Sequence, residues 1–240
     1  MAAVPDVVFI SFEEPNAEEH FARLLSFAPH AKRVHHIEGV YNAWTTAARL
    51  ATTPHFYLIE ADNWILDGFE FRAPEEPLTG DIYMWRARNA VNGLELLNGC
   101  IKFMNREAVL AMQPRALDFF LSIKGERRLI EKVASETRFN SSPFLAWRCG
   151  FRECAKFMAG MVRNASIPNI VKVWHTVGGD KSNGEWCMLG ARMGTRFARK
   201  NAGTPAMGAI NDINWLKERF AIVAQRVETQ TGAQERAAEG

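Results

Sequence analysis

The sequence predicts an α/β fold with a mostly parallel central sheet and helices on both of its faces. Strand and helix patterns alternate through the first 60 residues, which is the organisation typical of parallel sheets. The composition, 48% hydrophobic and 23% charged, is that of a globular protein with a buried core. The 240 residues show no internal repeat and no linker rich in Pro, Gly or Ser, so a single domain is predicted over residues 1–220.

The first five elements alternate regularly. Residues 4–11, VPDVVFIS, form a buried strand pattern, and a helix begins near Asn16, a residue type that caps helix N-termini. Residues 33–38 form the second strand pattern, and residues 40–51 form the second helix pattern. The third strand, residues 56–59, follows after a short turn. This order predicts parallel strands joined by helical crossovers.

The later elements have shorter patterns. Strands are predicted at 82–87, 99–103 and 169–174. Helices are predicted at 105–112, 115–122, 126–134 and from Pro143 onward. Residues 221–240 lose their apolar periodicity, which predicts a helix that frays into a disordered tail.

Charge is unevenly distributed along the chain. Residues 1–80 carry 5 Lys and Arg against 12 Asp and Glu, a net charge of −7. Residues 81–210 carry 20 against 10, a net of +10, and residues 211–240 carry 4 against 5. A basic second half favours a positive surface that binds a polyanion through its phosphates. The alternative is that these charges scatter over separate solvated faces.

The chain is expected in the cytoplasm, without a membrane partner. Its start, MAAVPDVVFISFEEP, has neither the basic residues nor the long apolar stretch of a signal peptide. No apolar run approaches about 20 residues, the length that crosses a bilayer. The four cysteines show no CxxC spacing, which favours reduced and buried thiols.

Two carboxylates follow the third strand directly. Glu60 and Asp62 come after the apolar run Phe56–Ile59, although ionised groups are costly to remove from water. Their spacing of two residues points both side chains the same way in extended backbone. A divalent cation, Mn²⁺ or Mg²⁺, would neutralise both and bridge them to a diphosphate. The alternative is a turn or helix cap with solvated carboxylates.

The order GVYNAWTTAARLATTPHFYLIEADNW resembles the nucleotide-sugar half of GT-A glycosyltransferases, in which a helix with small residues leads into a strand that ends in a DxD metal motif. Glu60-Ala61-Asp62 stands at that motif, with Glu in place of the first Asp. The resemblance implies a GT-A-like fold in which Asp62 binds the metal and Glu60 assists it. The donor contacts expected in this half are Ser11, Phe12, Glu13, Asn42, Asn63 and Trp64.

A second resemblance lies downstream. His175-Thr176-Val177-Gly178 is similar to the HxxG loop that supplies a third metal ligand in several GT-A enzymes, which implies that His175 is that ligand. The following GGDKSNG loop lets the backbone approach a diphosphate, with Gly178 and Lys181 as expected contacts. The alternative for His175 is a surface or helix-capping role.

More narrowly, the chain resembles the phage-encoded glycosyltransferases associated with TET/JBP-type dioxygenases. The segments that carry this resemblance are YLIEADNW, LNGCIKFMNRE, FNSSPFLAWRCGFREC and GARMGTRFA, within residues 4–200. It implies a hexosyl- or N-acetylhexosaminyl-transferase that uses a uridine-linked (UDP) sugar. Its acceptor would be DNA containing hydroxymethylated pyrimidines, such as 5-hydroxymethylcytosine.

The block from Arg138 to Cys154 mixes phosphate-binding and aromatic side chains, which suits a nucleic acid strand whose base is unstacked before it reacts. Glu153 and Glu136 are rival candidates for the base that deprotonates the acceptor hydroxyl. The alternative is an amphipathic helix with core aromatics and solvated arginines. The acceptor contacts expected in this block and upstream of it are Asn98, Arg138, Asn140, Trp147, Arg148 and Arg152.

The basic segment ARMGTRFARK, residues 191–200, places Arg192, Arg196 and Arg199 on one face of a helix. These arginines hold the donor diphosphate or the acceptor backbone, or they form a solvated face. The function predicted from all these features is metal-dependent glycosyl transfer to DNA. The rival functions are a glycosyltransferase acting on a polysaccharide, lipid or protein, and a non-catalytic nucleic-acid-binding module.

Overall fold

The structure of the protein is a computed structural model that describes residues 4–74, 78, 81–97, 99–113, 117–162 and 165–238. Two compact units form along the chain, residues 1–141 and residues 142–240.

The first unit is built on one sheet. Its strands are β1 (Asp6–Ser11), β2 (Lys32–His35), β3 (His55–Glu60), β4 (Asn63–Ile65), β5 (Ile82–Asn89), β6 (Glu95–Leu96), β7 (Lys102–Asn105) and β8 (Arg127–Thr137). Its helices are α1 (Ala17–Leu25), α2 (Val40–Leu50), α3 (Arg106–Leu110) and α4 (Phe119–Ser122). The predicted α/β class is therefore confirmed, and the alternation of its first five elements with it.

The strand order determines which strand ends meet. The order is β2-β1-β3-β7-β5-β8-β4, and β6 pairs with β5. β1 is parallel to both β2 and β3, and β5 is parallel to β8, while the other pairs are antiparallel. Since β7 is antiparallel to both β3 and β5, the carboxyl ends of β1, β2, β3, β5 and β8 lie along one edge. We call this the carboxyl edge.

Both faces of the sheet are covered. Side chains alternate along each strand, so in β1 Val8 and Ile10 belong to a core cluster with α2 and α3. Val7 and Phe9 point the other way, into a second cluster that includes α1. The predicted placement of helices on both faces is confirmed.

The second unit is helical. It contains α5 (Pro143–Met158), α6 (Ile167–Thr176), α7 (Gly184–Asn201), a 3₁₀ helix (Pro205–Asn211) and α8 (Ile213–Ala238). α5 and α7 approach closely because α7 presents glycines at a spacing of four. A Cβ atom at Gly190 would collide with the carbonyl oxygen of Trp147, and one at Gly194 with that of Phe151.

Two predicted elements were wrong in type. Of residues 126–134, predicted as a helix, residues 127–134 belong to β8, whose backbone pairs with β5 and β4. Residues 169–174, predicted as a strand from their β-branched side chains, lie within α6. There, Val171 and Trp174 are three residues apart and form one buried helical stripe.

Other boundaries shifted. The strand predicted at 99–103 begins at Lys102, and the helix predicted at 115–122 is described only from Phe119 onward. α8 continues to Ala238, so its residues from 221 are helical, and the predicted fraying of this tail stays a prediction. Within the described ranges, no helix has the length and apolarity needed to cross a membrane.

Candidate functional site

The acidic pair lies at the carboxyl edge, where the strand order reverses. The chain leaves β1 for β2 on one side and returns to β3 on the other side. Ligands of open α/β sheets bind at such a switch point. Ile10 pairs with Glu60, so the Ser11 end of β1 and the Glu60 end of β3 are neighbours.

A buried lysine neutralises part of this acidic charge. Lys102, at the start of β7, is 5% exposed, and its Nζ lies 3.4 Å from Glu60 Oε2 and 3.0 Å from the Cys100 carbonyl oxygen. Burial favours the neutral amine, yet the Lys102 pKa is raised, because Glu60, together with Cys100 and Asp62, outweighs desolvation. A side chain of the protein thus contributes the neutralisation that the sequence assigned to a divalent cation alone.

The Asp62 carboxylate is oriented by its neighbour. Asn63 Nδ2 donates to Asp62 Oδ1 at 3.2 Å and to the Glu60 carbonyl oxygen at 3.3 Å. Its own Oδ1 accepts from Ser135 Oγ at 2.9 Å. Asn63, predicted as a donor contact, is 1% exposed, so its amide serves the loop that carries both carboxylates.

A buried histidine on α1 hydrogen-bonds the backbone of the same loop. His20 Nδ1 donates to the Ala61 carbonyl oxygen at 2.8 Å, and its Nε2 accepts from Asn16 Nδ2 at 3.1 Å. Asn16 Nδ2 also donates to the Arg138 carbonyl oxygen at 3.1 Å. Burial lowers the pKa of His20 and favours the neutral imidazole that this pattern requires.

The end of β8 completes the cluster. Trp64 pairs with Glu136, and the Arg138 backbone N–H donates to the Asp62 carbonyl oxygen at 2.7 Å. Arg138 Nε donates to Glu136 Oε1 at 2.7 Å, and its guanidinium lies 4.1 Å from the centre of the Trp64 ring. The structure therefore brings one candidate base and one predicted acceptor contact close to Asp62.

Ser11, a predicted donor contact, sits in a polar network at the ends of β1 and β2. Its hydroxyl donates to His35 Nδ1 at 2.8 Å and accepts from Arg33 Nε at 3.0 Å. Ser11 is buried, so it fixes the position of the His35 imidazole, which is exposed.

Other predicted donor contacts lie on the same side of this unit. The Phe12 backbone N–H donates to Glu14 Oε2 at 2.7 Å, which closes the turn after β1. Glu13 is exposed in this turn. Asn42 is exposed in the first turn of α2 and donates to the Glu38 carbonyl oxygen at 3.0 Å.

A divalent cation fits this site only if a bound diphosphate supplies part of its coordination. In the described part of the chain, no three His, Cys, Asp or Glu side chains form a group that could hold a metal. Mg²⁺ commonly takes one or two carboxylates and completes its coordination with phosphate and water. Asp62, supported by Glu60, matches that pattern, and Lys102 competes for Glu60.

The residues of the predicted HxxG loop lie in the second unit. His175 is in the last turn of α6, with Nε2 at 2.9 Å from Thr195 Oγ1 on α7. Its pKa is lowered by burial and by nearby arginines. Gly178 adopts a positive φ of 105°, and Lys181 pairs with Asp180 at 3.3 Å. Metal binding by His175 and diphosphate binding by this loop stay predictions.

Two predicted acceptor contacts on α5 have structural roles. Trp147 is fully buried, and its ring centre lies 5.0 Å from that of Phe151. The core alternative therefore holds for Trp147, because a buried indole offers no face to a base. Arg152 donates to the Ile210 carbonyl oxygen at 2.8 Å and to Asn211 Oδ1 at 3.0 Å, which ties α5 to the 3₁₀ helix.

The other predicted catalytic and acceptor residues lie away from the acidic motif in the sequence. Glu153 is 8% exposed and pairs with Lys156 at 3.0 Å, so its carboxylate is engaged within the second unit. Arg148 on α5 and Asn140 before it are half-buried. Asn98 lies outside the described residues.

Lys102, like His20, contacts the acidic motif but was not predicted from the sequence. The signal was present, because a lysine interrupts the apolar run from Cys100 to Met104. A lysine in a buried strand requires a partner of opposite charge, and the nearby acidic motif offers two.

The chain matches no protein-family model and no curated protein. Among solved structures, it is similar to HddC from Yersinia pseudotuberculosis, with 14% identity, a TM-score of 0.39, and coverage of 54% of this chain and 91% of that chain. It is also similar to a glycosyltransferase involved in the glycosylation of the major capsid of PBCV-1, with 9% identity, a TM-score of 0.34, and coverage of 55% of this chain and 93% of that chain. A third similar structure is the mannosyltransferase PcManGT from Pyrobaculum calidifontis in complex with GDP-Man and Mn²⁺, with 13% identity, a TM-score of 0.40, and coverage of 97% of this chain and 85% of that chain.

Proposed function

We propose that this chain is a glycosyltransferase that moves a sugar from a nucleotide-diphosphate sugar to a hydroxymethylated pyrimidine in DNA. The observation that carries the proposal is the Glu60–Asp62 pair at the switch point of the sheet, with Lys102 against it. The UDP-linked donor and the DNA acceptor come from the sequence resemblance to phage enzymes.

The charges of this site suit a diphosphate accompanied by a cation. Asp62 and Glu60 carry two negative charges and Lys102 one positive charge, which leaves a formal net charge of −1. Asp62, with Glu60 in support, would hold Mn²⁺ or Mg²⁺, which supplies Lewis-acid stabilisation of the leaving diphosphate. Lys102 holds the Glu60 carboxylate in place, and Asn63 does the same for the Asp62 carboxylate.

Glu136 is the better placed of the two candidate bases. Glu136 pairs across the sheet with Trp64, two residues after Asp62 at the carboxyl edge, whereas Glu153 is buried against Lys156. In the proposed step, Glu136 accepts the proton of the acceptor hydroxyl, whose oxygen attacks the anomeric carbon of the sugar. The bond from that carbon to the diphosphate oxygen breaks, and the nucleoside diphosphate leaves with the electron pair. Arg138 orients the Glu136 carboxylate through their 2.7 Å hydrogen bond.

The proposal is tested by incubating labelled nucleotide sugars with hydroxymethylated and plain DNA, with Mn²⁺ or with a chelator. Label should enter only the hydroxymethylated DNA, and chelation should abolish the transfer. Label on oligosaccharides or peptides but never on DNA would contradict the acceptor, and transfer that survives chelation would contradict the metal.

A pair of variants on one strand tests the base. Glu136→Gln should reduce transfer at least about 100-fold, the usual contribution of a general base, while donor binding stays unchanged. Glu131→Gln is the matched control, because Glu131 also lies on β8 but is exposed and pairs with Arg86 at 2.6 Å. Equal activity of the two variants would remove Glu136 from the mechanism.

A further inference from the structure

One side of α7 carries an exposed row of cations. Arg192, Arg196, Arg199 and Lys200 are all exposed, and we call them the α7 basic face. The helical rise of about 1.5 Å per residue separates Arg192 from Arg199 by about 10.5 Å along the axis. The small and buried residues of α7, including Gly190 and Gly194, face α5 instead.

No carboxylate among the described residues pairs with the charges of this face. In the part of the chain that the structure describes, Arg196, Arg199 and Lys200 form no ion pair or hydrogen bond through their side chains. Arg192 Nη1 donates to the His175 carbonyl oxygen at 3.2 Å, an interaction that leaves its charge in place.

We propose that the α7 basic face binds the phosphodiester backbone of a nucleic acid strand. Guanidinium groups bind phosphate oxygens in a bidentate manner, and three of the four cations are arginines. Their span of about 10.5 Å is long enough for the arginines to contact more than one phosphate of a strand.

The composition of the face distinguishes this partner from a membrane. Helices that lie on a lipid surface insert large apolar side chains beside their cations. Among the described residues of α7, no large apolar side chain is exposed. The link between this surface and glycosyl transfer rests on the proposed function, whereas the binding itself does not.

The experiment measures binding of the full chain to plain 20-nucleotide single-stranded DNA by fluorescence anisotropy, with a chelator and between 50 and 200 mM KCl. Three lost phosphate contacts should reduce the slope of log K against log salt by about 2. We expect R192Q/R196Q/R199Q to show this change and to bind at least tenfold more weakly at 100 mM KCl. R192K/R196K/R199K keeps the charges but not the bidentate geometry, so it should keep the wild-type salt slope and lose less affinity than R192Q/R196Q/R199Q.

A matched variant controls for net charge. K217Q/R219Q/R226Q removes three cations that are exposed on α8, and it should change affinity less than threefold. R196Q alone alters one exposed side chain and should show about a third of the slope change, even if the triple variant unfolds.

Three outcomes would overturn the proposal. One is an equal loss of DNA affinity in the α7 and α8 triple variants. The second is unchanged DNA binding with lost binding to vesicles containing 30% phosphatidylserine. The third is unchanged DNA binding with lost binding of UDP-glucose, which would assign the face to the donor. The α7-specific loss in a protein that transfers no sugar would support this surface and contradict the proposed function.

Discussion

Replacing Lys102 with methionine is the most demanding test of how the site is built. Methionine keeps the length and the apolar stem of the side chain but removes the ammonium that lies 3.4 Å from Glu60 Oε2. Since Lys102 is 5% exposed, the change leaves two neighbouring carboxylates without their internal counterion.

The size of the effect follows from the geometry. At 3.4 Å and an effective dielectric constant of about 20, the attraction between Lys102 and Glu60 is about 5 kcal/mol. Relief from burying the ammonium offsets part of it, and the Glu60 side chain is 27% exposed to water. We expect Lys102→Met to lower the free energy of unfolding by about 3 kcal/mol, at the low end for breaking a buried pair. Urea denaturation followed by circular dichroism measures this loss.

Two variants make the interpretation specific. Lys132→Met removes an exposed lysine of β8 whose Nζ donates to the backbone carbonyl oxygen of Gly68 at 3.1 Å, and should cost under about 0.5 kcal/mol. Glu60→Gln in the Lys102→Met background should recover about 2 kcal/mol, since it removes the unpaired charge. A Lys102→Met protein as stable as Lys132→Met, or a double variant with no recovery, would refute the role of Lys102 as counterion.

Two further predictions concern packing and pH. Gly194→Ala should lower the free energy of unfolding by about 3 kcal/mol, because the new Cβ would collide with the Phe151 carbonyl oxygen. Gly208→Ala is the control: a Cβ at Gly208 meets no atom within 4 Å, so the free energy of unfolding should change by under about 0.5 kcal/mol. Equal costs would contradict the close packing of α5 and α7. The His20 pKa is lowered, so the unfolded chain binds the proton more readily and stability should fall as the pH drops below about 6.5. His20→Gln should flatten this fall between pH 7.5 and 5.5 in urea titrations, and an unchanged pH profile would remove the His20–Ala61 bond as its cause.

The start of the chain was predictable because its patterns are local. β1, α1, β2, α2 and β3 each follow their own periodicity, and the strand ends at Glu60 could be located from it. β8 was not predictable in this way, because LIEKV has a helical pattern, and its strand depends on partners more than 40 residues away. α6 shows the reverse, since its β-branched residues favour a strand while packing against α7 stabilises a helix.

The residues of the site also fall into those that a local sequence pattern predicts and those that tertiary contacts bring in. The motif at Glu60 and Asp62 is contiguous, so the sequence indicated the carboxylates and their place at the end of the third strand. Lys102 and His20 reach the motif through strand pairing and helix packing, which a local pattern does not encode. Trp147 was ambiguous because an aromatic at helical spacing suits both a core and a binding face, and the fold buries it.

Donor binding by an Asp62 variant tests the central claim most directly. Isothermal titration of a UDP-sugar should show Mn²⁺-dependent binding to the wild-type chain and at least tenfold weaker binding to Asp62→Asn. Asp67→Asn is the matched control, because Asp67 is exposed in the same unit and pairs with Arg23 at 2.6 Å. We predict that Asp67→Asn binds as the wild type does. Equal affinity of the Asp62→Asn protein and the wild type, with or without Mn²⁺, would contradict a donor site at this edge of the sheet.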